Sequence, residues 1–342
     1  MLKTRSSAAR GPFIKVNSRV TMSSILTRLS SATEPLKSSS SSERWRLGLA
    51  LALVAACCWG VLPIALCVSL QALDPYTITW FRFSTAAIFL GFILAIRNAL
   101  PRLQHISART WVLLGIALAG LLGNYVLLLF ALTYATPTTV QTLGQLSSVF
   151  FLLGGVVIFK ERLSPKQWLG FALLLAGLLL FFNHRVPQLR DLSRGLGHGV
   201  VITVITTLSW ATYGLTQRRL VMDLRSSQVL LLLYVGAAVG LFPVASPVAM
   251  ARLSRLQAVM LGFSCLNTIV GYGAFAESLR HWKVSRVGAV LATTPLFTFA
   301  TMILAQREAP SLIPPESLNS LSIFGAVLVV IGAASCALGR VE

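Results

Sequence analysis

The sequence predicts an all-α polytopic membrane protein: ten transmembrane helices in two inverted five-helix repeats. Three observations predict it. The composition is too apolar for a soluble chain, the apolar runs are separated by short basic breaks, and one segment can be laid over a later one at a constant offset. Hydrophobic residues fill 55% of the 342 positions and charged residues only 11%, against roughly 25% charged in a soluble domain. At about 20 residues per crossing, that content supplies about nine spans before Gly, Ser and Thr are counted.

Lys and Arg outnumber Asp and Glu by 29 to 10, a net charge of +19. In a soluble chain this excess points to nucleic acid. Here the cations sit in an N-terminal segment and in short loops, the distribution that orients helices in a bilayer, so the expected partners are the lipid bilayer and a small-molecule substrate, not nucleic acid. A homodimer is a further expectation. The five cysteines, Cys57, Cys58, Cys67, Cys265 and Cys336, all fall inside apolar runs and read as packing residues, with no disulfide framework or metal site.

Residues 1–46 carry nine Lys or Arg against two Glu and an unbroken serine run from Ser38 to Ser42. They read as a disordered, cytosolic N-terminal tail. Arg- and Ser-rich, acid-poor character also describes an organellar transit peptide, and Met22 offers a downstream start. The first repeat is placed at 47–183, with helices at 47–70, 76–96, 111–133, 137–159 and 167–183. The second is placed at 184–342, with helices at 198–217, 228–246, 257–279, 284–305 and 319–339. Asp74-Pro75, Pro101, Pro137, Pro165, Pro187 and Pro314-Pro315 mark breaks, because proline disfavours helix in the residue before it.

The loops after helices 2, 4, 6 and 8 hold three cations each: Arg97, Arg102, Arg109; Lys160, Arg162, Lys166; Arg218, Arg219, Arg225; Arg280, Lys283, Arg286. The opposite loops hold fewer, namely Arg185, Arg190, Arg194, Arg252, Arg255 and Arg307. This asymmetry places both termini in the cytoplasm of a bacterial inner membrane.

Tyr125 to Glu161 overlays Tyr272 to Glu308 without a gap at an offset of 147: Leu132 meets Leu279, Phe150 meets Phe297, Glu161 meets Glu308. Beyond an insertion, Gly170 and Gly177 match Gly325 and Gly332, and Trp59-Gly60 corresponds to Trp210-Ala211. An odd number of helices per repeat makes the second copy cross in the opposite sense, which gives inverted repeats about an axis in the membrane plane.

These features resemble the EamA-type transporters of the drug/metabolite transporter superfamily, over about residues 47–339. The most specific stretch is 131–180, with its ERL turn at 161–163 and the G...AG helix after it. Trp59-Gly60, the Arg82 of WFRF and Pro295 add to it. Ser148 stands where the family pattern often has proline, and Arg307-Glu308-Ala309 with an insertion stands where ERL is expected. The resemblance implies ten helices in two repeats and export or exchange of small metabolites, such as amino acids, or of drugs. Its motifs are largely structural and name no substrate.

Helix 6 aligns Thr203, Thr206, Thr207, Trp210, Tyr213, Gly214 and Gln217 on one face, and helix 4 aligns Thr138, Gln141, Thr142, Gln145 and Ser148. Such stripes face the bundle interior or a wet cavity, as cavity lining or as hydrogen-bonding glue between helices. Asn124 and Tyr125, Asn267 and Tyr272, with Trp59 and Trp210, would give a central chamber aromatic and amide walls suited to a small amphipathic solute. Arg82 is an intramembrane cation, either a ligand for a substrate carboxylate or a gate residue, or else a snorkelling or carbonyl-bonded side chain near the interface. Glu277 is a carboxylate within a span, either a proton site or a local partner of Arg280.

No catalytic motif, cofactor signature or nucleotide-binding loop is present, so no enzyme and no cofactor are expected and transport must run on a gradient. The expected function is a secondary transporter that moves a small metabolite or drug by alternating access, with amino-acid-like solutes and export favoured. The alternatives are an organellar metabolite translocator, with 1–46 as its transit peptide, and a non-transporting membrane protein.

Overall fold

The computed structural model describes residues 41–159, 163–184, 186, 195–281, 284–308, 310 and 318–338. Most of the tail, the Glu161-Arg162 turn, and the segments holding Pro187 and Pro314-Pro315 lie outside the described residues. Twelve helices are named here in chain order: α1 Ser41–Leu70, α2 Pro75–Ile96, α3 Ala108–Tyr134, α4 Pro137–Gly144, α5 Leu146–Phe159, α6 Pro165–Phe181, α7 Gly195–Leu220, α8 Ser226–Leu241, α9 Arg255–His281, α10 Val284–Leu291, α11 Thr294–Glu308 and α12 Ser320–Leu338. Residues 45–342 form one compact unit.

Several starts follow from cap chemistry. Asp74 accepts from the backbone N–H groups of Tyr76 and Thr77 at 2.9 and 3.0 Å, with Pro75 in the first turn. Thr136 caps α4 ahead of Pro137, and the Ser164 N–H donates to the Gln167 side chain at 2.9 Å ahead of Pro165. A polar cap followed by proline suits a helix start, because proline lacks an N–H where none has a helical partner.

Among the described residues seven stretches are long and apolar enough to cross a membrane, fewer than the ten predicted. The reason is length. The α6 and α8 helices have 17 and 16 residues, which at 1.5 Å per residue reach about 25 Å against a hydrocarbon core of about 30 Å. The predicted helix 137–159 is two pieces, α4 and α5, that part at Gln145.

The predicted helix 284–305 is also two pieces, α10 and α11, and it parts at Ala292 and Thr293. Pro295 explains this second break: it cannot donate to the Leu291 carbonyl four residues earlier, and the Thr294 hydroxyl donates there instead at 2.6 Å. At Gln145 the chain tightens into a turn, with Gln145 N–H on the Thr142 carbonyl and Ser148 N–H on the Gln145 carbonyl. Both are three-residue bonds, typical of a local 3₁₀ turn. A further correction concerns α1, which begins at Ser41 inside the predicted tail.

Large apolar side chains face outward along the helices: Ile88, Phe92, Val157, Leu179, Val239 and Ile303 are all more than 60% exposed. A bilayer accepts that surface, whereas water would not. Inside, α3 packs extensively on α7 and α6 on α12. Glycine permits the second crossing. A Cβ at Gly170 would stand 2.7 Å from the Cys336 nitrogen and one at Gly177 would stand 2.6 Å from the Val329 nitrogen, so the α6 and α12 backbones touch there.

Candidate functional site

Pro63 lies buried within α1. Its ring leaves the Trp59 carbonyl without a helical N–H, and side chains from three other helices gather at that point. Gln141 Nε2 of α4 donates to the Trp59 carbonyl at 3.0 Å, Asn267 Nδ2 of α9 to the Cys58 carbonyl at 2.6 Å, and Thr298 Oγ1 of α11 to the Gly60 carbonyl at 2.8 Å. Three successive carbonyls of one helix are thus tied to three neighbours. In a low-dielectric interior each such bond replaces one that water cannot supply.

The Trp59 ring projects from this point into an aromatic network. Its centroid lies 5.3 Å from Tyr272, 5.6 Å from Phe275 and 6.3 Å from Trp210. Trp210 stands 6.2 Å from Tyr272 and 5.2 Å from Tyr213. Gly271 lets Trp59 in: a Cβ there would be 2.8 Å from the indole nitrogen. Tyr272 continues to Tyr125 at 6.4 Å, and Tyr125 to Phe83 at 4.5 Å, so rings from α1, α2, α3, α7 and α9 connect.

Arg82 closes one end of the network. It is 2% exposed. Its guanidinium carbon is 4.4 Å from the Tyr125 ring centroid, and its Nε donates to Thr268 Oγ1 at 3.1 Å. Thr268 Oγ1 in turn donates to the Ser264 carbonyl at 3.0 Å. Three buried side-chain atoms among the described residues have no hydrogen-bond partner: Arg82 Nη1, Tyr125 Oη and Asn267 Oδ1. The Thr268 and Tyr272 hydroxyls lie beside Tyr125 Oη without reaching hydrogen-bond geometry.

The structure therefore brings Trp59, Tyr125, Trp210, Tyr213 and Tyr272 into one ring network, with Arg82 against it and Gln141 and Asn267 at its α1 edge. Asn124 lies on the α3–α7 seam and donates to the Thr206 carbonyl at 3.3 Å. Thr142 is buried and bonds the Thr138 carbonyl of its own helix at 2.7 Å. Among the described residues no ring contact or side-chain hydrogen bond ties Gln145, which is half-buried at the α4–α5 break, to the network. Thr203, Thr206 and Thr207 of the helix-6 stripe are buried and bond carbonyls of their own helix, at 2.7, 2.9 and 2.8 Å.

Glu277 sits toward the end of α9. Its carboxylate is 3.2 Å from His281 Nε2, and its side chain is 42% exposed. The expected partner Arg280 has a side chain outside the described set. A separate cavity of about 360 Å³ opens where α1 and α3 end and α4 begins, lined in part by Cys67, Gln71, Thr136, Pro137 and Met302. All five cysteines are free, and Cys265 and Cys336 are buried.

Sequence reasoning missed Pro63, Thr298, Thr268 and Phe275. Pro63 could have been found, since a proline within an apolar run frees the carbonyl four residues before it. Thr298 and Thr268 give no such signal, because threonine in a span usually bonds its own helix.

The profile of the EamA-like transporter family matches residues 46–183 and again 197–337. The chain belongs to the EamA-like transporter family. Over 295 residues it is 40% identical to YhbE of Escherichia coli K12, named as an uncharacterized inner membrane transporter, covering 86% of this chain and 92% of that one. It is 23% identical over 297 residues to a Salmonella typhimurium protein named "Probable amino-acid metabolite efflux pump", covering 82% and 92%. A protein crystal structure shares the fold at a TM-score of 0.56 and 16% identity, covering 84% of this chain and 95% of that one. This is a transporter family, and the chain is a member on its sequence.

Proposed function

We propose that the chain is a secondary carrier of a bacterial inner membrane that crosses ten times in two inverted five-helix repeats, with both termini in the cytoplasm. It moves small amphipathic solutes, amino-acid-like ones favoured, outward by alternating access. The observation that carries this reading is the convergence of aromatic and amide side chains from both halves on Trp59, one turn before Pro63.

Further support comes from the repeat. The breaks at Gln145 and Ala292 are separated by the same 147 positions that align the two halves, and the family profile matches each half in turn. Broken helices at corresponding places in two halves are a mark of carriers whose substrate site lies at the repeat interface. The names of the relatives supply the membrane and the favoured solute class. Binding of solute is the differential interaction that shifts the equilibrium between the two open states.

Counterflow in proteoliposomes tests this. Preloading with an unlabelled amino acid should drive uptake of the labelled one from outside without ATP. Trp210→Ala and Trp59→Ala should lower it by about tenfold or more, as expected for the loss of an aromatic wall that buries the apolar part of a solute. Rates in both variants equal to wild type would remove the chamber assignment.

A further inference from the structure

We propose that Arg82 anchors a carboxylate on the transported solute and sets the carrier's preference for that charge. The inference rests on the carrier reading above and gives one residue a specific task within it.

A buried guanidinium has three ordinary explanations, and the geometry meets none of them. The first is snorkelling to an interface. Arg82 lies seven residues inside α2, about 10 Å along the helix from Pro75, and its head group turns toward Tyr125 and Thr268 rather than the helix end. The second is a carboxylate partner. The carboxylates whose side chains are described are engaged elsewhere: Asp74 caps α2, Asp223 accepts from Thr110 at 2.8 Å, Glu277 is with His281 and Glu308 lies beside Arg307. The third is a set of backbone carbonyls, and the partner found is a single hydroxyl, Thr268 Oγ1.

What remains is a fixed cation, held by Tyr125 and Thr268, with Nη1 free to donate. Tyr125 Oη is a second unengaged donor on the ring that the guanidinium covers. Two donors on neighbouring groups match the two oxygens of one carboxylate, the arrangement that makes Arg the preferred residue for such ligands. Asn267 Oδ1, one residue before Thr268 on α9, is an unengaged acceptor and suits an N–H on the same solute. The ring network then runs from Tyr125 through Tyr272 to Trp59 and Trp210. It offers apolar walls to the rest of an amphipathic molecule.

The test uses the full chain in nanodiscs and in proteoliposomes. Leucine, phenylalanine, threonine and cysteine are each compared with their own carboxamide, which keeps the shape and removes the carboxylate. Binding is read as thermal stabilisation and as change in tryptophan fluorescence. Wild type should bind at least one carboxylate about tenfold or more tightly than its amide, the usual worth of charge-assisted hydrogen bonds. Arg82→Met should remove that preference while amide binding changes little, and Arg82→Lys should keep part of it.

Tyr125→Phe retains the ring under the guanidinium, so it folds even if Arg82→Met does not; it should weaken carboxylates several-fold and leave amides unchanged. Persistence of the preference in Arg82→Met and Tyr125→Phe would overturn the assignment. So would a wild type that responds to none of the four carboxylates. Flux of solutes without a carboxylate preference would sink the anchor and leave the carrier reading standing. Arg82-dependent carboxylate binding without any flux would sink the carrier reading and leave the anchor.

Discussion

Gln141→Leu isolates what a glutamine does in the middle of this bundle. The substitution keeps the approximate volume and deletes the amide that donates to the Trp59 carbonyl at 3.0 Å. That carbonyl has no alternative helical donor, because the residue four positions later is Pro63. An unsatisfied buried acceptor is destabilising by about 1–3 kcal/mol, whereas side-chain hydrogen bonds between membrane helices average about 0.6 and reach about 1.7 kcal/mol. A loss of about 1–2 kcal/mol is therefore expected for Gln141→Leu, read as unfolding of purified protein in lipid nanodiscs. The deciding comparison is Pro63→Ala, which returns an N–H to the Trp59 carbonyl and makes the amide redundant. In that background Gln141→Leu should lose most of its effect, a coupling of about 1 kcal/mol in a double-mutant cycle. An effect of equal size in both backgrounds would refute the idea that the amide stands in for the missing N–H.

Other outcomes follow from the same geometry. Gly177→Ala places a Cβ 2.6 Å from the Val329 nitrogen and should destabilise the α6–α12 crossing by about 1–3 kcal/mol, whereas Gly262→Ala, with open space around it, should be neutral or stabilising by up to about 1 kcal/mol; thermal unfolding of both variants checks this. Asn124→Leu removes the donor to the Thr206 carbonyl and should lower stability by about 1 kcal/mol with Trp210 packing preserved, read as an unchanged tryptophan emission maximum.

Much of the fold was legible because its signals are local. Asp74-Pro75, Thr136-Pro137 and Ser164-Pro165 announce helix starts through the chemistry of a cap and a missing N–H, and Gly170, Gly177, Gly325 and Gly332 announce a close crossing through spacing alone. The breaks were not legible in the same way. The chain is polar around Gln145 and carries Pro295 just after Ala292, but polar residues in a span read equally well as a stripe on one continuous helix, and a short 3₁₀ turn has no residue signature of its own.

The site divides along similar lines. That the aromatic side chains lie near one another was legible because Trp and Tyr recur at matching places in two halves, which is a pattern one sequence can reveal. The roles of Gln141 and Asn267 were not, since their partners are backbone carbonyls of α1, far away in sequence and identical in every residue type. Arg82 was visible as a cation in a span, but its choice between an interface and the interior depends on where Tyr125 and Thr268 sit. Glu277 was visible as a carboxylate, and its pairing with His281 rather than solvent alone is a matter of helix phase, four residues apart on α9.

The most direct measurement is counterflow of labelled amino acids into proteoliposomes holding wild type or Trp210→Ala, without ATP. A carrier with its chamber at the aromatic network should show preload-dependent uptake in wild type and lose about nine-tenths or more of it in the variant. Uptake that is absent from wild type for every amino acid, metabolite and drug tried would contradict the carrier reading. Uptake equal in the two proteins would contradict the placement of its chamber.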